Sequence, residues 1–210
     1  MSTPVYRSRL VRIVCLGTLL LGSLVPASAR SAEAAPTDQV RDTMETARGI
    51  LDDPALQGPD KEAARRQKVR KLIAARFNYA EMAARSLDSH WDKLTAQQRR
   101  TFVDLFGELF ERSYSRMVLD SLPERQVLYS GETVNGSRAV VNTLIVDKRG
   151  DRMPVDYQLQ RPESQWEMFD VVIDGVSIVA TYRSQFNKVI ETSSFEDLVK
   201  RMRVKRDEGE

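Results

Sequence analysis

Between residues 36 and 122 apolar positions recur at helical spacing, and after Pro123 they alternate, so the chain predicts a block of helices followed by a sheet. A first helix over 38–51 stops before the Asp-Asp-Pro and Gly-Pro breakers of 52–59, and a second, highly charged one over 60–76 carries Val69, Leu72, Ile73 and then Phe77 on its inner side. Asn78, with Glu81 three residues on, can cap a short third helix. Thr95 and Gln98 form a capping box at the head of the longest one. On that helix Phe102, Leu105, Phe106, Leu109, Phe110, Met117 and Val118 make one broad stripe, while Arg100, Asp104, Glu108, Glu111 and Arg112 take the other side. Such a stripe requires a large apolar surface to lie against.

The period-2 segments are separated by turn signals. Asn135-Gly136 between 125–134 and 137–147 is a type I′ hairpin signal; 148–151, with Gly150 inside, marks a second hairpin and 162–165 a third. In the third strand Met153, Val155, Tyr157 and Leu159 alternate with Asp156, Gln158 and Gln160, which gives one apolar and one wet face. The second strand, 139–146, is apolar almost throughout and is expected to be central. Asp174-Gly175 then turns the chain into a helix over 178–190. Ser194 opens a last helix with Phe195, Leu198, Val199 and Met202 on its inner stripe. The expected fold class is α+β: an antiparallel meander of four strands, or slightly more, packed against N-terminal and C-terminal helices. Residues 36–203 form one domain and 204–210 a charged tail.

Ahead of this lies a different kind of segment. Arg7, Arg9 and Arg12 precede a 13-residue apolar run, 13–25, that ends at Ala27-Ser28-Ala29. The pattern is that of a secretory signal peptide over 1–29, since the run falls short of the roughly 20 residues a spanning helix needs. Its removal takes away Cys15, the only cysteine, and leaves an exported chain without thiol, disulfide or cysteine-based metal site. Removing three arginines from 32 basic residues leaves 29 against 30 acidic ones, a net of about −1, so a nucleic-acid role loses its electrostatic support.

Catalytic signals are thin. His90 is the sole histidine, sits beside Trp91 at a helix boundary and reads as a capping or surface residue; no metal-ligand spacing exists. Asp156 falls on the polar side of its strand and Asp174 is a turn residue. Asp170 alone could serve as an acid or base in a sheet-lined cleft, but pairing with Arg183 or a backbone donor is the simpler role. Three apolar stripes and one clean sheet face in a modest domain either close on themselves or leave a cleft between sheet and helices.

Several segments together resemble the MlaC-like, toluene-tolerance family of periplasmic lipid-binding proteins. Trp166 to Phe186 is similar to the family's Trp, Asp-Val-x-Ile-x-Gly-Val-Ser and Tyr-Arg-x-x-Phe pattern. Residues 77–83 resemble its Phe-Asp-Tyr-x-x-Met-Ala, and 91–99 its Trp-x-x-x-Thr-x-x-Gln-Arg. Residues 102–114 resemble its Phe-x-x-x-Phe-x-x-Leu-x-x-x-x-Tyr, with Phe110 shifted in register. The order is conserved along 40–202. One departure is Leu87-Asp88, where the family usually has Leu-Gly.

The resemblance implies a cavity between sheet and helices that holds acyl chains as cargo, with no cofactor. It implies a periplasmic carrier shuttling a phospholipid, or in the hopanoid-associated branch a hopanoid, between an outer-membrane lipoprotein complex and an inner-membrane ABC transporter; the sequence carries no sign of a stable oligomer, so a monomer is expected. Two chains of about 15 methylenes each would lose roughly 24 kcal/mol in water, so such a carrier needs a pocket nearly as favourable as a bilayer. On this reading Phe102, Phe106 and Leu109 of the long helix and Val141, Ile145, Val155, Tyr157, Leu159, Phe169 and Val171 of the strands are the expected lipid-binding residues. A cavity-bearing enzyme using Asp170 and a ligand-free adaptor with a filled interior are the alternatives.

Overall fold

The computed structural model describes residues 34–208; the signal segment 1–29, Cys15 and residues 209–210 lie outside them. Helices α1 (Pro36–Asp52), α2 (Glu62–Arg76), α3 (Tyr79–Leu87) and α4 (Ala96–Ser121) come first. Strands β1 (Gln126–Asn135), β2 (Arg138–Val146), β3 (Arg152–Gln160), β4 (Glu167–Ile173) and β5 (Val176–Ser177) follow, and α5 (Ile178–Thr192) and α6 (Phe195–Asp207) close the chain. The strands form one antiparallel meander in the order β1-β2-β3-β4-β5. The fold class is therefore α+β, with a two-residue fifth strand produced by the Asp174-Gly175 turn, where both residues have positive φ.

Local chemistry starts the helices where the side chains can cap them. Asn78 accepts from the amide of Glu81 at 2.8 Å, Thr95 and Gln98 complete the capping box, and Ser194 accepts from the amide of Asp197 at 3.1 Å. Asn78 also ties the α2–α3 junction to the sheet, through its amide to the Met168 carbonyl at 2.8 Å and its side chain to Glu167 at 2.6 Å.

One local expectation changes, and one departure from the family pattern acquires a geometry. Helix α6 continues through Val204 to Asp207 instead of giving way to a charged tail. Asp197 and Arg201 pair along it at 2.7 Å, and Arg112 Nη1 of α4 donates to the Arg206 carbonyl at 2.5 Å, so the last turn is held from outside. At the end of α3, Asp88 has φ 49° and ψ −125°, a conformation open to glycine and strained for any other residue. This is the position at which the sequence departs from the Leu-Gly pattern.

The register places Leu159 beside Ala139, Tyr157 beside Val141, Val155 beside Thr143 and Met153 beside Ile145, so these eight side chains share the helix-facing surface. Strand β4 keeps this alternation only in part. A bulge at Phe169 leaves Met168 opposite Leu159 and Val171 opposite Tyr157, so the inward positions are Met168, Val171 and Ile173. The core divides into a large cluster built on α3, α4, α5 and the sheet and a small one of Ala47, Leu51 and Leu122.

Candidate functional site

Between these two clusters the helices and the sheet do not meet. A cavity of about 350 Å³ opens there. Its floor is the sheet surface of Ile145, Met153, Val155, Tyr157, Met168, Val171 and Ile173. Its walls come from Thr43, Met44 and Ala47 of α1, Val69, Leu72 and Ile73 of α2, and Phe110, Tyr114, Met117 and Val118 of α4. The small side chains of Thr43 and Ala47 set one wall back, and Met117, 42% exposed, stands at the mouth.

Polar capacity on this wall is small. The Thr43 hydroxyl already donates to the Gln39 carbonyl at 2.8 Å. Burial pushes the Tyr157 phenol above its usual range, and burial with the nearby Tyr182 and Asp170 does the same for Tyr114, so both stay neutral. Among the described residues Arg125 is the single charged one in the lining. Water in such a space finds few partners, whereas an apolar ligand loses nothing by entering.

Of the ten residues expected on this surface, Ile145, Val155, Tyr157 and Val171 face the cavity and the other six do not. Phe102 and Phe106 belong to a solid aromatic cluster: Phe102 meets Phe186 at 5.6 Å and Phe195 at 5.9 Å, and Phe106 meets Tyr182 at 5.3 Å. Helices α5 and α6 cover that half of α4, and both rings are buried. Leu109 packs half-buried against the main core. Val141 and Leu159 share the inward face but lie toward the filled end, fully buried. Phe169 is displaced by the β4 bulge and lies under the Arg85 guanidinium, 4.3 Å from its ring centroid. The walls from α1 and α2 escaped the sequence reading. The inner faces of both helices were legible, but no residue pattern separates a face pressed against a neighbour from one facing a gap.

Asp170 has a structural task. Its Oδ2 accepts from the Ser177 hydroxyl at 2.5 Å and its Oδ1 from the amides of Val179 at 3.1 Å and Val171 at 2.8 Å, which anchors the start of α5 to β4. The partner is thus backbone and Ser177 rather than Arg183. Asp156 accepts from Asn142 at 2.8 Å on the outer face of the sheet. Among the described residues there is no group of side chains suited to hold a metal ion, and no helix is long and apolar enough to cross a membrane.

Sheet and helices thus form one α+β domain around an apolar pocket. The model of the MlaC protein family matches residues 41–204, and the chain belongs to that family. A curated relative, toluene tolerance protein ttg2D of Pseudomonas putida, is 24% identical over 94 residues, which cover 45% of this chain and 44% of that protein. The match thus spans less than half of the relative's length. Among solved structures, the phospholipid-binding protein of Ralstonia solanacearum, determined in complex with a phospholipid, superposes with a TM-score of 0.68 at 22% identity, over 84% of this chain and 97% of that one. It shares the fold.

Proposed function

We propose that this protein is a periplasmic lipid carrier that holds acyl chain in the cavity between sheet and helices. The observation that carries the reading is the cavity itself, about 350 Å³ with one charged side chain in its lining. At about 30 Å³ per water-sized unit it has room for about a dozen methylenes, whose burial contributes roughly 10 kcal/mol at ~0.8 kcal/mol each. A phospholipid or a related lipid such as a hopanoid fits this chemistry, and the phospholipid complex of the Ralstonia protein supports it by analogy. A second chain requires the walls to part. Met44, Met117, Met153 and Met168 all line the space, and unbranched thioether side chains repack at small cost.

Release into water would forfeit the burial energy, so such a protein hands its cargo to a partner. In this reading the partners are an inner-membrane ABC transporter complex on one side and an outer-membrane lipoprotein complex on the other. The enzyme alternative has little support, because Asp170 is engaged at the start of α5 and does not line the cavity.

The test is to purify the mature chain from its own periplasm and extract it for mass spectrometry. Lipid at one equivalent or a simple fraction of it is expected. A lipid-free protein that also takes up no lipid from vesicles overturns the proposal.

A further inference from the structure

The two ends of the cavity are built differently. Met117, 42% exposed, stands at the mouth, whereas Phe110 at the inner end is 1% exposed and held by four other rings. Phe77 and Tyr79 approach it at 5.1 and 5.9 Å, Phe106 at 6.1 Å and Tyr114 at 4.3 Å. These neighbours are themselves fixed. Tyr79 lies against α4 at Gly107, where an added methyl carbon would come to 2.8 Å from the ring, so the helix backbone blocks its retreat. Phe77 forms a bridge with Met168 of β4, and the next amide, Asn78, donates to the Met168 carbonyl at 2.8 Å. The α2–α3 junction is therefore stitched to the sheet at the end where the cavity stops.

Side walls and end wall thus differ in how far they yield. Met44, Met117 and Met153 repack at small cost, but close-packed rings lengthen a pocket only by giving up their contacts. We infer that Phe110 is a fixed stop that gauges acyl-chain length: carbons enter as far as its ring, and those beyond stay outside the mouth. Phe110 and Met117 lie seven residues apart on α4, about 10 Å at ~1.5 Å per residue. An extended chain advances about 1.2 Å per atom, so roughly eight carbons fit straight and about a dozen fill the volume. The inference rests on the carrier reading and goes beyond it, because it makes the carrier select by chain length and names the residue that sets the limit. Met168 reaches the same end from the sheet and is the competing boundary.

The experiment uses the delipidated mature chain and monoacyl phosphatidylcholines whose saturated chains lengthen two carbons at a time, each titrated by calorimetry below its micelle threshold. Affinity is expected to rise about fourfold per carbon, the worth of one buried methylene, up to a chain of about a dozen carbons and to level off beyond it. Phe110→Leu should move that break about one or two carbons longer, and Phe110→Ala about three. Thermal unfolding verifies that each variant is folded; should Phe110→Ala fail to fold, Phe110→Leu decides. Met117→Leu at the mouth should leave the break in place. Affinity that climbs without a break to the longest chain, or a break that stays put in folded Phe110→Leu, overturns the gauge and leaves the carrier reading standing. A break that moves with Met168→Ala and not with Phe110→Leu assigns the boundary to the sheet and overturns the gauge as well. Absence of binding at every chain length overturns both.

Discussion

Along the first half of α4, Phe102 and Phe106 are closed in by Tyr182, Phe186 and Phe195 from α5 and α6, whereas along the second half Tyr114, Met117 and Val118 look into open space. Phe110 stands at the boundary, touching Phe106 at 6.1 Å on one side and lining the cavity on the other. One continuous apolar stripe thus does two jobs. What differs is the facing partner: α5 and α6 bring aromatic rings to the first half, while α1 offers Thr43 and Ala47 to the space beside the second. The closed half holds the fold and the open half is free to hold a ligand.

This contrast can be broken from the closed side. Phe106→Ala should lower unfolding free energy by about 3–5 kcal/mol, since it deletes a fully buried ring from a packed cluster, and urea denaturation would read the loss. A cost below about 1 kcal/mol would show that this half of the interior is loosely filled as well. Asp170→Ala should cost about 2–3 kcal/mol by leaving the Ser177 hydroxyl and the Val179 amide without their acceptor, and amide exchange in the first turn of α5 should rise selectively.

Substitutions on the open side should separate binding from stability. Val171→Phe places a larger ring where space exists, so its expected effect on unfolding is within about 1 kcal/mol, below the usual cost of overpacking. Lipid recovered with the protein should fall sharply. Unchanged loading would remove Val171 from the binding surface. The smallest expected change is a gain. Asp88→Gly relieves the positive φ after α3 and should stabilise by about 1 kcal/mol without altering lipid content, as thermal unfolding and extraction would show together.

The capping residues Asn78, Thr95 and Ser194 fixed helix starts that the structure reproduces, because the hydrogen bonds involved span only three residues. Asn135-Gly136 marked the first hairpin but not its turn: Asn135 is still paired with Arg138, the loop residues are Gly136 and Ser137, and only Gly136, at φ 59°, has positive φ, so the turn is not the expected type I′. Phe169 shows where local reasoning stops. Strict alternation puts it on the same face as Val171, but one bulged residue in β4 turns it toward Arg85. The tail was misread for a related reason, since the contact that holds its last turn comes from Arg112, far back in the chain.

By itself, then, the order of residues determined the elements, their amphipathic faces and the α+β class, since periodicity and capping act over a few residues. Only the tertiary structure decided which faces touch and which stand apart. A gap depends on how far helices from distant parts of the chain approach the sheet, and the same Leu, Phe or Val is equally apolar whether a neighbour or a cavity lies in front of it.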